Sequence, residues 1–360
     1  MSENIKAMIA MSGGVDSSVS AALMLEKGYD CIGVTMRLYS KPTELESSCG
    51  KTCCSLDDVE DARAVAQKLK MPYYVFNFEE DFSQEVIDRF VCSYEKGATP
   101  NPCIECNRYM KFDRLYKRAE VLQCDKIVTG HYARIEQGED GRYLLKKAKN
   151  TSKDQSYVLY FLNQQQLSHI CFPLGEYESK EEIRRIAEKY GFTNAHKGDS
   201  QDICFVPDGD YVSFIEKYTG KSYPKGNFCD KEGNILGEHK GVIGYTIGQR
   251  KGLGIALGKP MYVCGKCTES NTVYLGSNEE LFSRELTAKN INLIPFDKIE
   301  GSVRLHAKVR YNQKEQSCTV TQTDEDTIKV TFDEPQRAIT KGQAVVLYDG
   351  DVVVGGGVID

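Results

Sequence analysis

Two cysteines three positions apart, Cys103 and Cys106, lie in Thr99-Pro-Asn-Pro-Cys-Ile-Glu-Cys-Asn107, and Cys204 lies in the polar run Asp199-Ser-Gln-Asp-Ile-Cys-Phe205. The prolines end any preceding helix and leave a stiff, exposed loop, and Asn107 onward reads as a new helix. Cys106 then stands near a helix N-terminus, where the dipole lowers a thiol's pKa and raises its thiolate fraction. A C-x-x-C pair also suits redox exchange or metal ligation. The commoner role of a cysteine is that of a small buried hydrophobe. The polarity of the flanking residues argues against that role for these three.

A second chemical stretch stands near the N-terminus. The apolar run Ala7 to Ala10 reads as a short buried strand, and Met11-Ser-Gly-Gly-Val-Asp-Ser17 leads into the helical pattern Val19, Ala22, Leu23, Leu25. A strand, a glycine turn and a helix N-terminus form an anion pocket, because the backbone can approach closely and unpaired N–H groups point outward. No lysine follows the glycines, so this is not a Walker A loop. It resembles instead the pyrophosphate-binding loop of ATP pyrophosphatases, which transfer AMP and release pyrophosphate. Residues Ala10, Met11, Ser12, Gly13, Gly14, Val15, Asp16 and Ser17 are then expected to hold ATP, with Asp16 helping with Mg²⁺.

Other candidates carry less. Cys49, Cys53 and Cys54 cluster in a polar loop with metal-ligand character, and Cys264-Gly-Lys-Cys267 is a second C-x-x-C. Joined to the first, it would make a four-cysteine zinc site. His131 is a candidate for the nucleotide pocket, with a structural histidine as its equal rival.

These residues must be positioned by a larger frame. A chain of 360 residues exceeds one compact core, so two or three domains are expected. The 41% hydrophobic and 27% charged content is that of an ordinary globular protein. No run approaches a membrane span, and Met1 to Ala10 lacks a signal peptide's apolar core, which points to the cytoplasm. In that compartment the 14 cysteines read as thiols, catalytic groups or ligands before structural disulfides. A net charge of −6 argues against indiscriminate nucleic-acid binding but leaves room for a local basic face.

From Lys6 to about Tyr132 apolar strands alternate with amphipathic helices, the mark of a doubly wound parallel sheet. Strands are expected at Cys31–Met36, Pro72–Asn77 and Lys126–His131, and helices at Asp57–Leu69, Phe82–Tyr94 and Ser179–Tyr190. Ligands in such sheets lie beyond the strand C-termini, which gathers Ala10, Met36 and Gly130 around one nucleotide. Composition then shifts to a glycine-rich stretch, Pro224 to Gly258, expected to form a small central domain. From Glu285 onward short strands at close spacing suggest a C-terminal β-barrel, with Asp349-Gly350 as a hairpin turn. The expected domains are an α/β unit over 1–205, a central unit over 206–280 and a barrel over 281–360.

Motifs along the whole chain resemble the bacterial tRNA-specific 2-thiouridylase family. They are S-G-G-V-D-S at Ser12, T-P-N-P-x-x-x-C-N at Thr99, T-G-H-Y-A-R at Thr129 and K-D-Q-S-Y at Lys153. D-S-Q-D-I-C-F at Asp199, G-Q-R-K-G-L-G at Gly248, R-Y-N-Q at Arg310, F-D-E-P at Phe332 and the closing G-G-G continue it in order. The resemblance implies ATP-dependent replacement of the 2-oxygen of the wobble uridine by sulfur in tRNAs for Lys, Glu and Gln. It implies Cys106 and Cys204 as the catalytic thiols, with Cys204 carrying the persulfide sulfur supplied by a donor protein (a cysteine desulfurase or a sulfur relay). The persulfide either attacks C2 directly or yields hydrosulfide as Cys106 and Cys204 form a disulfide. It also implies tRNA contacts at Lys153, Asp154, Gln155, Tyr311 and Asn312, where an aromatic and an amide suit a flipped base.

One position departs from the family pattern: Cys103 stands where many members carry an acid. Three thiolates, Cys103, Cys106 and Cys204, could ligate three irons of a [4Fe–4S] cluster and leave the fourth open, or Cys103 could be a spectator. Two other readings remain at this level. One is a pyrophosphatase that adenylates a small metabolite, which has no use for paired thiols. The other is a zinc-bearing RNA-binding protein built on the two C-x-x-C pairs.

Overall fold

A computed structural model of the chain describes residues 5–39, 56–198, 203–256 and 258–360. Cys49, Cys53 and Cys54, and the polar residues 199–202 before Cys204, lie outside the described residues. The apolar N-terminal run forms strand β1 (Lys6–Ala10), flanked by β2 (Asp30–Arg37) and by a short strand Lys126–Val128. Tyr73–Asn77 and Ile170–Cys171 complete the sheet at its two edges, and every pairing is parallel. Successive side chains of β1 feed opposite cores: Met8 packs with Phe82, Phe90 and Leu115, while Ala7 and Ile9 pack with Val19, Leu23, Val65 and Ile183. Both faces are therefore covered by helices, which is why the strands read as continuous apolar runs. The chain reverses direction across the sheet at β1, so the loops after β1 and after Val128 open a crevice between them.

The central region holds a four-stranded sheet built from Gly226–Cys229, Ile235–His239, Tyr262–Cys267 and Thr272–Gly276. Its core is not separate. Phe228, Val263 and Val273 belong to the same apolar cluster as Met36, Phe82 and Phe90 of the α/β unit. The C-terminal strands form a six-stranded antiparallel barrel, closed where Phe282–Leu293 pairs with Val352–Ile359. The expected turn is there, with Asp349 paired to Val352 across it.

One element was not expected from the pattern. Ala133–Gln137 and Tyr143–Lys147 form a hairpin that leaves the α/β unit and joins the barrel sheet through Val352 and Lys146. The Lys147 N–H donates to the Asp351 carbonyl at 2.8 Å, and Arg134 reaches the Asp351 carboxylate at 2.6 Å. Nearby, the fully buried Tyr157 donates its hydroxyl to the Ala344 carbonyl of the barrel at 2.8 Å.

That seam yields a stability test. Tyr157→Ala removes a buried aromatic between two domains and should lower the unfolding free energy by roughly 3–5 kcal/mol. Tyr157→Phe, which removes only the hydroxyl, should cost about 1 kcal/mol. Denaturant titration of the two variants distinguishes packing from the hydrogen bond.

Candidate active site

The glycine loop after β1 is gripped from several sides. Met11 N–H donates to the Val34 carbonyl at 2.8 Å, so the loop leaves the sheet along β2. Ser17 and Ser18 turn their hydroxyls back to the Gly14 carbonyl at 3.1 and 3.0 Å, tying the loop to the first turn of α1 (Val15–Glu26). Gly13 has φ +72°, and a Cβ there would run into the Asp58 carbonyl. A Cβ at Gly130 would similarly meet the backbone of Asp16 and Ser17. Asn194 donates to the Gly13 carbonyl and to Ser18 Oγ, both at 2.9 Å.

Asp16 is engaged within the protein. Its carboxylate takes Lys180 Nζ at 2.7 and 2.6 Å on its two oxygens and the Tyr132 hydroxyl at 2.7 Å. Lys180 opens the helix Lys180–Lys189, whose Ser179 and Glu182 form a reciprocal capping box, and its side chain is only 8% exposed. Lys197 bridges Asp58 and Asp61 at 2.7 and 2.6 Å. Burial works against its charge, but these two carboxylates hold it above the ordinary lysine range. Lys180, Asn194 and Lys197 escaped the sequence reading. The capping box was visible in the sequence, but nothing in it connects position 180 to position 16.

Met36 stands near the end of β2 and is buried against the cluster that covers that face of the sheet, while the strand expected to end in Gly130 stops at Val128, two residues earlier. His131 takes the structural alternative. It lies between Phe112 and Phe172, its Nδ1 is 2.6 Å from Thr129 Oγ1, and burial, reinforced by Lys111, holds its pKa well below the usual value.

The thiols are positioned differently from expectation. The helix begins at Pro102 rather than at Asn107, because Asn101 caps it and accepts from the Cys103 N–H at 3.2 Å. Cys103 therefore lies in the first turn and is exposed, while Cys106 lies one turn in and is half-buried. From Cys106 to Arg114 the helix widens to i→i+5 hydrogen bonds, a rare distortion often found at functional sites. The neighbouring Glu105 carboxyl is pushed up by burial, against the pull of Arg108 and Arg89. Cys204 is half-buried and followed by Phe205, whose ring packs edge-on to Phe82 and Phe90 at 5.8 and 5.2 Å. Cys106 and Cys204 both pack against the cluster that contains these rings. Among the described residues no three Cys, His, Asp or Glu side chains are gathered as a metal ion requires. The four-cysteine zinc site and the iron–sulfur cluster are thus not assembled in this arrangement.

The residues expected to touch RNA divide. Asp154 caps its own turn, accepting from Ala148 N–H and from Ser156 at 3.0 and 2.7 Å, with its pKa raised by burial. Gln155 exchanges two bonds with Tyr132, at 2.9 and 2.8 Å. Both shape the loop. Tyr311 is 37% exposed, donates to the Asp154 carbonyl at 3.1 Å and stacks edge-on to Tyr157. Its phenol is pushed up by burial, with Asp154 and Cys103 adding to the rise. Asn312 is exposed and Lys153 half-exposed beside them.

Comparison with known proteins covers the whole chain. Residues 5–208 match the tRNA methyl transferase HUP domain, 212–277 the tRNA methyl transferase PRC-barrel domain and 283–359 the aminomethyltransferase β-barrel domain. The tRNA-specific 2-thiouridylase MnmA of Clostridioides difficile is 54% identical, over 99% of this chain and 98% of its own. The protein of the same description from Acetivibrio thermocellus is 52% identical, over 98% and 99%.

The loop geometry predicts two outcomes. Lys180→Ala should destabilise the fold more than the double change Asp16→Ala/Lys180→Ala, because it strands a partly buried carboxylate. A coupling of about 1–3 kcal/mol in the double-mutant cycle, measured by denaturant unfolding, is expected. Gly13→Ala, strained at positive φ and abutting Asp58, should abolish ATP-dependent AMP formation while the barrel domain remains folded by circular dichroism.

Proposed function

The chain belongs to the tRNA-specific 2-thiouridylase family, and from that premise we propose the route by which it replaces the 2-oxygen of the wobble uridine by sulfur. The substrates are tRNAs for Lys, Glu and Gln, ATP as its Mg²⁺ complex, and a sulfur donor protein in the cytoplasm. The loop from Ala10 to Ser17, with Met36 and Gly130, holds ATP so that uracil O2 attacks the α-phosphorus and pyrophosphate leaves. The O2–AMP bond turns a poor leaving group into a good one.

Cys204 carries the incoming sulfur as a persulfide. Its terminal sulfur attacks C2 and AMP departs with the original oxygen. The Cys106 thiolate then attacks the Cys204 sulfur, the S–S bond to the transferred sulfur breaks, and the 2-thiouridine is released. A Cys106–Cys204 disulfide forms, which a cellular thiol reductant must reopen. Tyr311 and Asn312 receive the flipped base, with Lys153, Asp154 and Gln155 lining the approach.

The observation that supports this reading is that Cys106 and Cys204, distant in sequence, pack against one apolar cluster that also takes in Ala10 and Met36. Methyl transfer, which two of the matched domain descriptions name, has no use for such a pair. Cys103 supports a second route, in which Cys103, Cys106 and Cys204 would ligate a [4Fe–4S] cluster, although the three are not gathered as a metal site in this structure.

Cys106→Ser and Cys204→Ser should each abolish thiolation while tRNA-dependent AMP release persists, as measured by mass spectrometry of the tRNA and by nucleotide chromatography. Thiolation by either variant with a persulfide donor defeats the two-thiol route. Purification without oxygen separates that route from the cluster. The persulfide route predicts a colourless, iron-free and fully active enzyme. Stoichiometric iron, with both iron and activity lost in Cys103→Ala, assigns the cluster instead.

A further inference from the structure

The stretch from Lys240 to Thr268 carries five cations, Lys240, Arg250, Lys251, Lys259 and Lys266, and no acid, in a chain whose net charge is −6. Lys266 turns inward: its ammonium is shielded from solvent and burial lowers its pKa to about 8. Arg250, Lys251 and Lys259 are exposed, and among the described residues none of them has an ion-pair partner. Lys197 and Arg304, by contrast, sit beside carboxylates.

The backbone brings these charges together. Gly248, Gly252, Gly254 and Gly258 all have left-handed φ, between +69° and +88°, and fold the loop back on itself. Arg250 and Lys259 thereby come to line one open cleft of about 470 Å³. The loop is also pinned to the barrel. Arg310 donates to the Ile247 carbonyl at 3.2 Å and Arg337 to the Gly248 carbonyl at 3.5 Å. Arg310 immediately precedes Tyr311 and Asn312, so the basic loop is continuous with the barrel loop assigned to the flipped base.

We propose that Arg250, Lys251 and Lys259 contact the phosphate backbone of the tRNA, binding it by charge and independently of base sequence. This rests on the reading of the chain as a tRNA thiouridylase. Three solvated cations without carboxylate neighbours release condensed counterions when phosphates dock, which adds affinity and salt dependence but no base specificity. The net negative charge of the remainder then limits binding to RNA that reaches this face.

The test compares the wild-type enzyme with the triple variant Arg250→Gln/Lys251→Gln/Lys259→Gln, titrating tRNA by fluorescence anisotropy over a series of KCl concentrations. The variant should bind more weakly, and the slope of log affinity against log salt should shrink by about 2–3. ATP binding should be unchanged, and thiolation should show a raised KM for tRNA with kcat preserved. The single variant Lys251→Gln should reduce the slope by about 1 and serves if the triple variant fails to fold. Wild-type affinity and slope in the variants overturn the proposal. So does unchanged tRNA binding with slowed sulfur delivery from the persulfide-carrying donor, which would assign the loop to that protein. A wild-type enzyme that neither thiolates tRNA nor binds it better than heparin would instead overturn the thiouridylase reading itself.

Discussion

The contact on which the rest of the site depends is the one between Asp16 and Lys180. Two short bonds join a carboxylate in the first turn of α1 to an ammonium at the start of a helix 164 residues later, and Tyr132 adds a third. Desolvating both charges is costly and is repaid only when geometry and further hydrogen bonds are good. The pair therefore tolerates little displacement of either helix. Gly13 against Asp58 and Gly130 against Asp16 close the remaining space. Together these contacts fix the shape of the loop. The lysine that a Walker A loop carries in sequence is absent here, yet a lysine stands at the loop, brought there by tertiary structure.

The thiols are held by apolar packing. Phe205 wedges among Phe82, Phe90 and Phe214 and anchors the segment that carries Cys204. Cys106 enters the same cluster from a helix whose first turn is capped by Asn101 and which then widens. Aromatic edge contacts hold position without occupying the hydrogen-bonding capacity of a nearby polar site. Ile203, on the other side of Cys204, packs against the same cluster.

The three regions are not independent modules. The central sheet shares its core with the α/β unit, and a hairpin from the α/β unit extends the barrel sheet. Tyr311 of the barrel leans on the Asp154 carbonyl and lies near Cys103. An RNA held along the barrel and the central loop would thus be presented to the thiols by a nearly continuous body.

Local patterns determined much of this protein. The apolar runs, the glycine turn before α1, the alternating C-terminal strands and the hairpin at Asp349-Gly350 are short-range signals, and each appears where expected. Fourteen cysteines could be ranked by the polarity of their neighbours, and Cys106 and Cys204 emerged from that ranking together with the family resemblance. Other features were decided only by the fold. The helix start moved back to Pro102 because the Asn101 side chain capped it, a choice that the prolines alone left open. Asp154 and Gln155 turned out to bond their own loop, and His131 was enclosed by aromatic rings. The partners of Asp16 and of Asp58 come from positions more than a hundred residues away. Sequence periodicity reports which face of an element is apolar, but a pairwise ionic contact has no period. Only the packing of helices on a common sheet decides which charge meets which.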